Sequence, residues 1–106
     1  MGRRKQLKIN SAKTTGLGEV LKEINERRHH FRLQKPVTAA RLKQYLRIID
    51  KSEREDGVLA TDHTLVSAGF SSAELNAIMP PTEWNGFVDA TRLGFKLTSK
   101  GKDAIR

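Results

Sequence analysis

The chain has 106 residues, 20 Lys+Arg against 12 Asp+Glu, no Cys and a formal net charge of +8. That length holds one small domain and excludes a multidomain enzyme, and a 37% hydrophobic content fills one thin core without a deep substrate cavity. The lack of Cys excludes disulfides, Cys-ligated zinc and a thiol nucleophile, no apolar run is long enough to span a membrane, and the basic balance points to an anionic partner, nucleic acid foremost.

The charge is divided unevenly along the chain. Residues 1–49 carry a net of +10, residues 50–90 a net of −6, and residues 91–106 a net of +4. Two basic ends around an acidic middle suggest a directional surface rather than a uniform coat. Residues 1–15 read as a flexible basic arm in which Arg3, Arg4, Lys5 and Lys8 are candidates for phosphate contact.

An accessory helix is predicted over 17–31, with Leu17, Val20, Leu21, Ile24 and Phe31 on its apolar face. Arg27, Arg28, His29, His30 and Arg32 crowd its end, where the negative helix terminus favours cations, and Pro36 bars continuation. Thr38 can cap a second helix running to about Asp50, with Leu42, Tyr45, Leu46 and Ile49 inward. Lys43, Gln44, Arg47 and Lys51 fall on another face and form a basic ridge. The polar stretch 52–57 is expected to be a loop closed by Gly57, and 58–60 a brief strand.

Thr61 or Asp62 can begin a short helix to Ala68 that buries Leu65 and Val66, and Gly69 suits its left-handed end. Ser71 and Glu74 form a capping box, with Phe70 and Leu75 as the matching hydrophobic staple. The helix that starts there is expected to stop at Pro80-Pro81. Asn85-Gly86 reads as a tight turn, residues 87–97 as a hairpin with Arg92 and Gly94 near its tip, and 98–106 as a final short helix.

The order of residues 36–98, helix, short strand, helix, Gly-containing turn, helix and hairpin, resembles the winged-helix branch of the helix-turn-helix DNA-binding proteins. Leu65-x-x-x-Gly69-Phe70-Ser71-x-x-x-Leu75 has the spacing of the helix-turn-helix, and Leu97-Thr98-Ser99-Lys100-Gly101 is similar to the second wing strand and following helix of many bacterial regulators. The resemblance implies a mostly α domain over 16–106 with a small β-hairpin, a core over 36–98 and an extra N-terminal helix. It implies that the helix from Ser71 reads the major groove through exposed Ser72, Ala73, Asn76 and Ala77, with Asn76 able to contact adenine. Arg92 and Lys96 would then be the phosphate contacts of the wing.

That mapping leaves a tension, because Ser71 to Met79 contains no Lys or Arg and its one charge is Glu74. An alternative mapping places 38–50 in the groove, which supplies cations but leaves the later turn as packing. The same turn is also similar to three-helix modules of the ubiquitin-associated type, in which Phe70 would be an exposed protein-binding residue. The staple is the competing role for Phe70.

Little points to catalysis. His29, His30 and His63 have no spacing for a metal set or a triad, Arg54 and Glu55 spoil the calcium-loop pattern of 50–56, and Gly16-Leu17-Gly18 lacks the context of a phosphate loop. Trp84 and Tyr45 are candidates for stacking on bases, with core packing as the alternative. The expectation is a non-catalytic, intracellular protein, cytoplasmic or nuclear, that binds double-stranded DNA in regulation, replication or recombination. It needs no cofactor, metal, membrane or small-molecule substrate, and dimerises through the Leu17–Phe31 helix. The alternative is a protein- or RNA-binding adaptor within a nucleoprotein assembly.

Overall fold

Apolar residues at three- and four-residue spacing build the first helix, α1 (Leu17–Arg27), in a computed structural model that describes residues 16–106. The arm expected over 1–15, with Arg3, Arg4, Lys5 and Lys8, lies outside the described residues. The helix predicted to reach Phe31 tightens into a 3-10 helix, Arg28–Phe31, and ends at Arg32 in left-handed geometry (φ 59°). Arg32 N donates to His29 O and Leu33 N to Arg28 O, so two of the terminal carbonyls are satisfied by the reversing chain. The connecting segment is then clamped to α1, with Val37 N donating to Asn25 Oδ1 at 2.7 Å and Asn25 Nδ2 to Val37 O at 3.0 Å.

Thr38 caps α2 (Ala39–Arg54) by accepting from Arg41 N. This helix extends one turn past the predicted end at Asp50, and Ser52, expected in a loop, is buried on it. Ser52 follows Ile49 by three residues, so it continues the inward stripe, and its small side chain fits there. The brief strand expected at 58–60 contracts to one bridge, Ala60 to Phe95, and Val58 is 64% exposed.

Two short-range signals place the next pair of helices. Thr61 caps α3 (Asp62–Ser67), whose Leu65 is buried, whereas Val66, expected to be buried, is 48% exposed. Gly69 (φ 103°) reverses the chain, with Gly69 N donating to Val66 O and Phe70 N to Leu65 O. Ser71 and Glu74 then cap α4 (Ser72–Trp84) reciprocally.

The expected stop at Pro80-Pro81 does not occur, and both prolines lie inside α4. Each lacks the N–H of a helix bond, so the turn must be held by other contacts. Pro81 and Thr82 are buried, and the Thr82 hydroxyl donates to the carbonyls of Met79 (2.8 Å) and Ile78 (3.1 Å). With its single proton so engaged, Thr82 Oγ1 accepts from the buried Tyr45 hydroxyl of α2 at 3.1 Å. Asn85-Gly86 makes the expected turn, which closes this longer helix: Gly86 N (φ 82°) donates to Glu83 O and Phe87 N to Thr82 O.

The hairpin pairs β1 (Val88–Thr91) with β2 (Gly94–Leu97), Asp89 opposite Lys96, across the two-residue tip Arg92-Leu93. Thr98 caps the last helix, α5 (Ser99–Ala104), by accepting from Gly101 N. Gly101 has a packing reason to be glycine, because a Cβ there would lie 2.2 Å from Phe87 O. The described chain is thus mostly helical with one two-stranded antiparallel hairpin. One core joins Val20 and Ile24 of α1 to Tyr45, Leu46 and Ile49 of α2 and to Ile78 of α4. Val20 and Ile24 of the α1 stripe are fully buried inside the chain, while Leu17, Leu21 and Phe31 are half-buried against the same core. No helix among the described residues is long and apolar enough to cross a membrane.

Candidate nucleic-acid interface

Three regions bear on nucleic-acid binding: the start of α4, the outer face of α2, and the hairpin. At the start of α4 the helix offers Ser72 and Asn76 to solvent, as expected, with Ala73 half-buried. Ala77 is fully buried and is not a reading position, because it falls on the side of α4 that faces the core. The remaining exposed positions of α4 are Glu83 and Trp84, so its outer stripe carries no cation.

Glu74 does not repel phosphate as a free carboxylate. Arg41 of α2 grips it from 33 residues away, Nε to Oε2 at 2.9 Å and Nη2 to Oε1 at 3.0 Å, while Ser71 N donates to Oε1 at 3.0 Å. The Arg41 fork holds the Glu74 carboxyl below the usual carboxylate range, against some opposition from burial, and Glu74 in turn raises the Arg41 guanidinium. Arg41 also donates to Gly69 O at 2.8 Å and lies 3.8 Å over the Phe70 ring. One side chain therefore ties together the turn, the cap and the staple. Its partners are so distant in sequence that no local pattern could have pointed to it.

Phe70 is 2% exposed, packed edge-on to Tyr45 at 6.2 Å. It is buried in the same core as Leu75, as a staple requires, and its role as an exposed protein-binding residue is overturned by that burial. Tyr45 is likewise unavailable to stack on a base, and burial pushes its phenol well above the ordinary value. Trp84 is 54% exposed, but its Nε1 donates to Glu23 at 2.5 Å and Arg27 lies 5.0 Å over the ring.

The predicted ridge on α2 forms. Gln44, Arg47 and Lys51 are exposed and Lys43 is half-exposed, and Gln44 Oε1 accepts from Arg41. Arg47 and Lys51 border an open hollow of about 710 Å³ together with Arg54, Lys102, Arg106, Asp50, Glu53, Glu55 and Ile105. Five cations from α2 and the chain's last residues so meet three carboxylates. Arg54 is partly engaged by Asp50 at 3.2 Å and Glu55 at 3.6 Å, and Arg106 by Asp103 at 3.5 Å. Arg54 was missed because the helix was expected to end at Asp50; one more turn puts it three residues after Lys51 on the same ridge. Lys102 and Arg106 join by tertiary packing, which leaves no sequence signal.

Of the ridge, only Gln44 reaches toward the start of α4, through its bond to Arg41. The hollow beside Ser71 and Glu74, about 430 Å³, is lined by Lys35 and Arg41 and by none of the ridge residues. Arg92 is exposed at the hairpin tip, and Lys96 is half-buried on β2 opposite Asp89. Comparison with protein-family models, with curated proteins and with solved structures finds no match to the chain.

Proposed function

We propose that this protein binds duplex DNA without catalysing a reaction, in a regulatory, replication or recombination setting, and that its elements form a winged helix-turn-helix. The reading rests on one observation above others: cations far apart in sequence, Arg47, Lys51 and Arg54 on α2 with Lys102 and Arg106 at the end of the chain, converge on one open, solvated face. Phosphate spacing along DNA rewards such a face, and neutralising each phosphate releases counterions. The order α3, Gly69 turn, α4, hairpin supports the winged-helix assignment, as does the bridge from Ala60 to Phe95, which adds a third chain segment to the hairpin.

In this reading affinity comes from the α2 and α5 face and from Arg92, while Ser72 and Asn76 make the contacts available to α4. The capping box and Arg41 occupy Glu74, so the first turn of α4 approaches a phosphate without a free carboxylate. Duplex binding measured across salt is the test. Log affinity should fall with log salt by about 0.9 per phosphate contacted. Replacing Lys43, Arg47 and Arg92 by Gln together should flatten that slope by roughly one contact for each cation that touches phosphate. No binding at low salt, or an unchanged slope in the triple variant, would refute the assignment.

A further inference from the structure

The tip of the hairpin is built as a rigid apolar point. Leu93 is 81% exposed, the most exposed large apolar side chain among the described residues, and it occupies one of only two loop positions. Its backbone is braced from both sides. Leu93 N donates to Thr91 Oγ1 at 3.2 Å, and Thr91 Oγ1 donates to Gly94 O at 2.8 Å. Behind the tip, Phe95 N donates to Ala60 O at 2.7 Å, and Gly94 passes so close to Ala60 that a Cβ would lie 2.5 Å from its carbonyl. The chain thus fixes the base of the hairpin against the Ala60 segment while leaving a leucine in water.

Arg92 is exposed next to that leucine, and behind it Asp89 lies opposite Lys96 in the strand register. Val58, also exposed, borders the same open hollow as Leu93 and widens its apolar side. A rigid apolar side chain beside an arginine is the combination that enters the minor groove and unstacks a base step.

We infer that the Arg92-Leu93 tip is a minor-groove wedge: Leu93 inserts between adjacent base pairs and kinks the duplex, while Arg92 lies along the narrow, negatively charged groove. The inference rests on the DNA-binding reading above and adds to it a bend and a preference for steps that unstack easily, pyrimidine–purine steps in particular.

The test uses the full chain and a duplex on the order of 30 base pairs, end-labelled for energy transfer, with 2-aminopurine at a central TA step. Wild type should shorten the end-to-end distance, corresponding to a bend of about 20–90°, and raise the 2-aminopurine signal. Leu93→Ser should still bind, with a salt slope like that of wild type, but lose the bend and the fluorescence rise; Leu93→Met should retain both. The melting temperature of free Leu93→Ser should match wild type, since the side chain packs on little. A wild-type protein that does not bind duplex at low salt overturns the DNA reading and the wedge together. Wild-type binding without a bend or fluorescence rise, or with both unchanged in Leu93→Ser, overturns the wedge alone.

Discussion

Arg41 and Arg47 lie six residues apart on one helix and have opposite fates. Arg41 is half-buried, forks onto Glu74, reaches Gly69 O and covers the Phe70 ring. Arg47 is exposed and borders an open hollow with Lys51, Lys102 and Arg106. Both count equally toward the net charge of +8, yet only the second region leaves its cations facing solvent. Net charge therefore overstates the surface available for phosphate, and burial decides which cations belong to the fold.

The contrast breaks most readily at Phe70. Phe70→Ala removes a buried ring from beneath Arg41 and should cost about 3–5 kcal/mol, read from urea denaturation. A cost below ~1 kcal/mol would mean that the turn is not a structural hub. Next comes the direct comparison of the two arginines. Arg41→Ala removes charge-assisted bonds from a partly buried carboxylate and should destabilise by about 2–3 kcal/mol. Arg47→Ala should change stability by no more than ~0.5 kcal/mol. Equal effects in the same denaturant titration would erase the distinction.

The smallest effect sharpens the comparison through pH. Glu74 has a folded pKa below its unfolded value, so its pairing stabilises the fold fully above the unfolded value of about 4.3 and is lost as pH falls through the depressed folded value. Acid unfolding should accordingly include a loss below about pH 4 that is reduced in Glu74→Gln. If stability measured from pH 6 to pH 2 has the same profile in both proteins, Glu74 is not the linked group.

Much of the fold was legible because it is written within short reach. Thr38 as a cap, the Ser71–Glu74 box, Gly69 at the end of α3 and the Phe70–Leu75 staple each involve residues no more than five apart, so sequence spacing nearly fixes geometry. The ridge of Lys43, Gln44, Arg47 and Lys51 was legible for the same reason. The candidate site was legible only in pieces, because its other parts come together through packing. The Pro80-Pro81 stop failed where burial takes over: Pro81 and Thr82 are buried, and Thr82 bonds to Tyr45, 37 residues away, a contact outside the reach of any local rule.

Residue order alone determined that this is a basic, mostly helical chain with capped helices, a cationic ridge and a hairpin before the last helix. Only the tertiary structure decided that Phe70 is covered, that α4 continues through two prolines, that Ala77 faces inward and that Val20 and Ile24 of α1 are buried within the chain. The same structure decided which cations meet: Arg41 with Glu74 in one place, Arg47 and Lys51 with Lys102 and Arg106 in another. The physical reason is range. Caps and helix faces follow from backbone geometry over a few residues, whereas burial and charge pairing depend on which distant surfaces the hydrophobic core draws together.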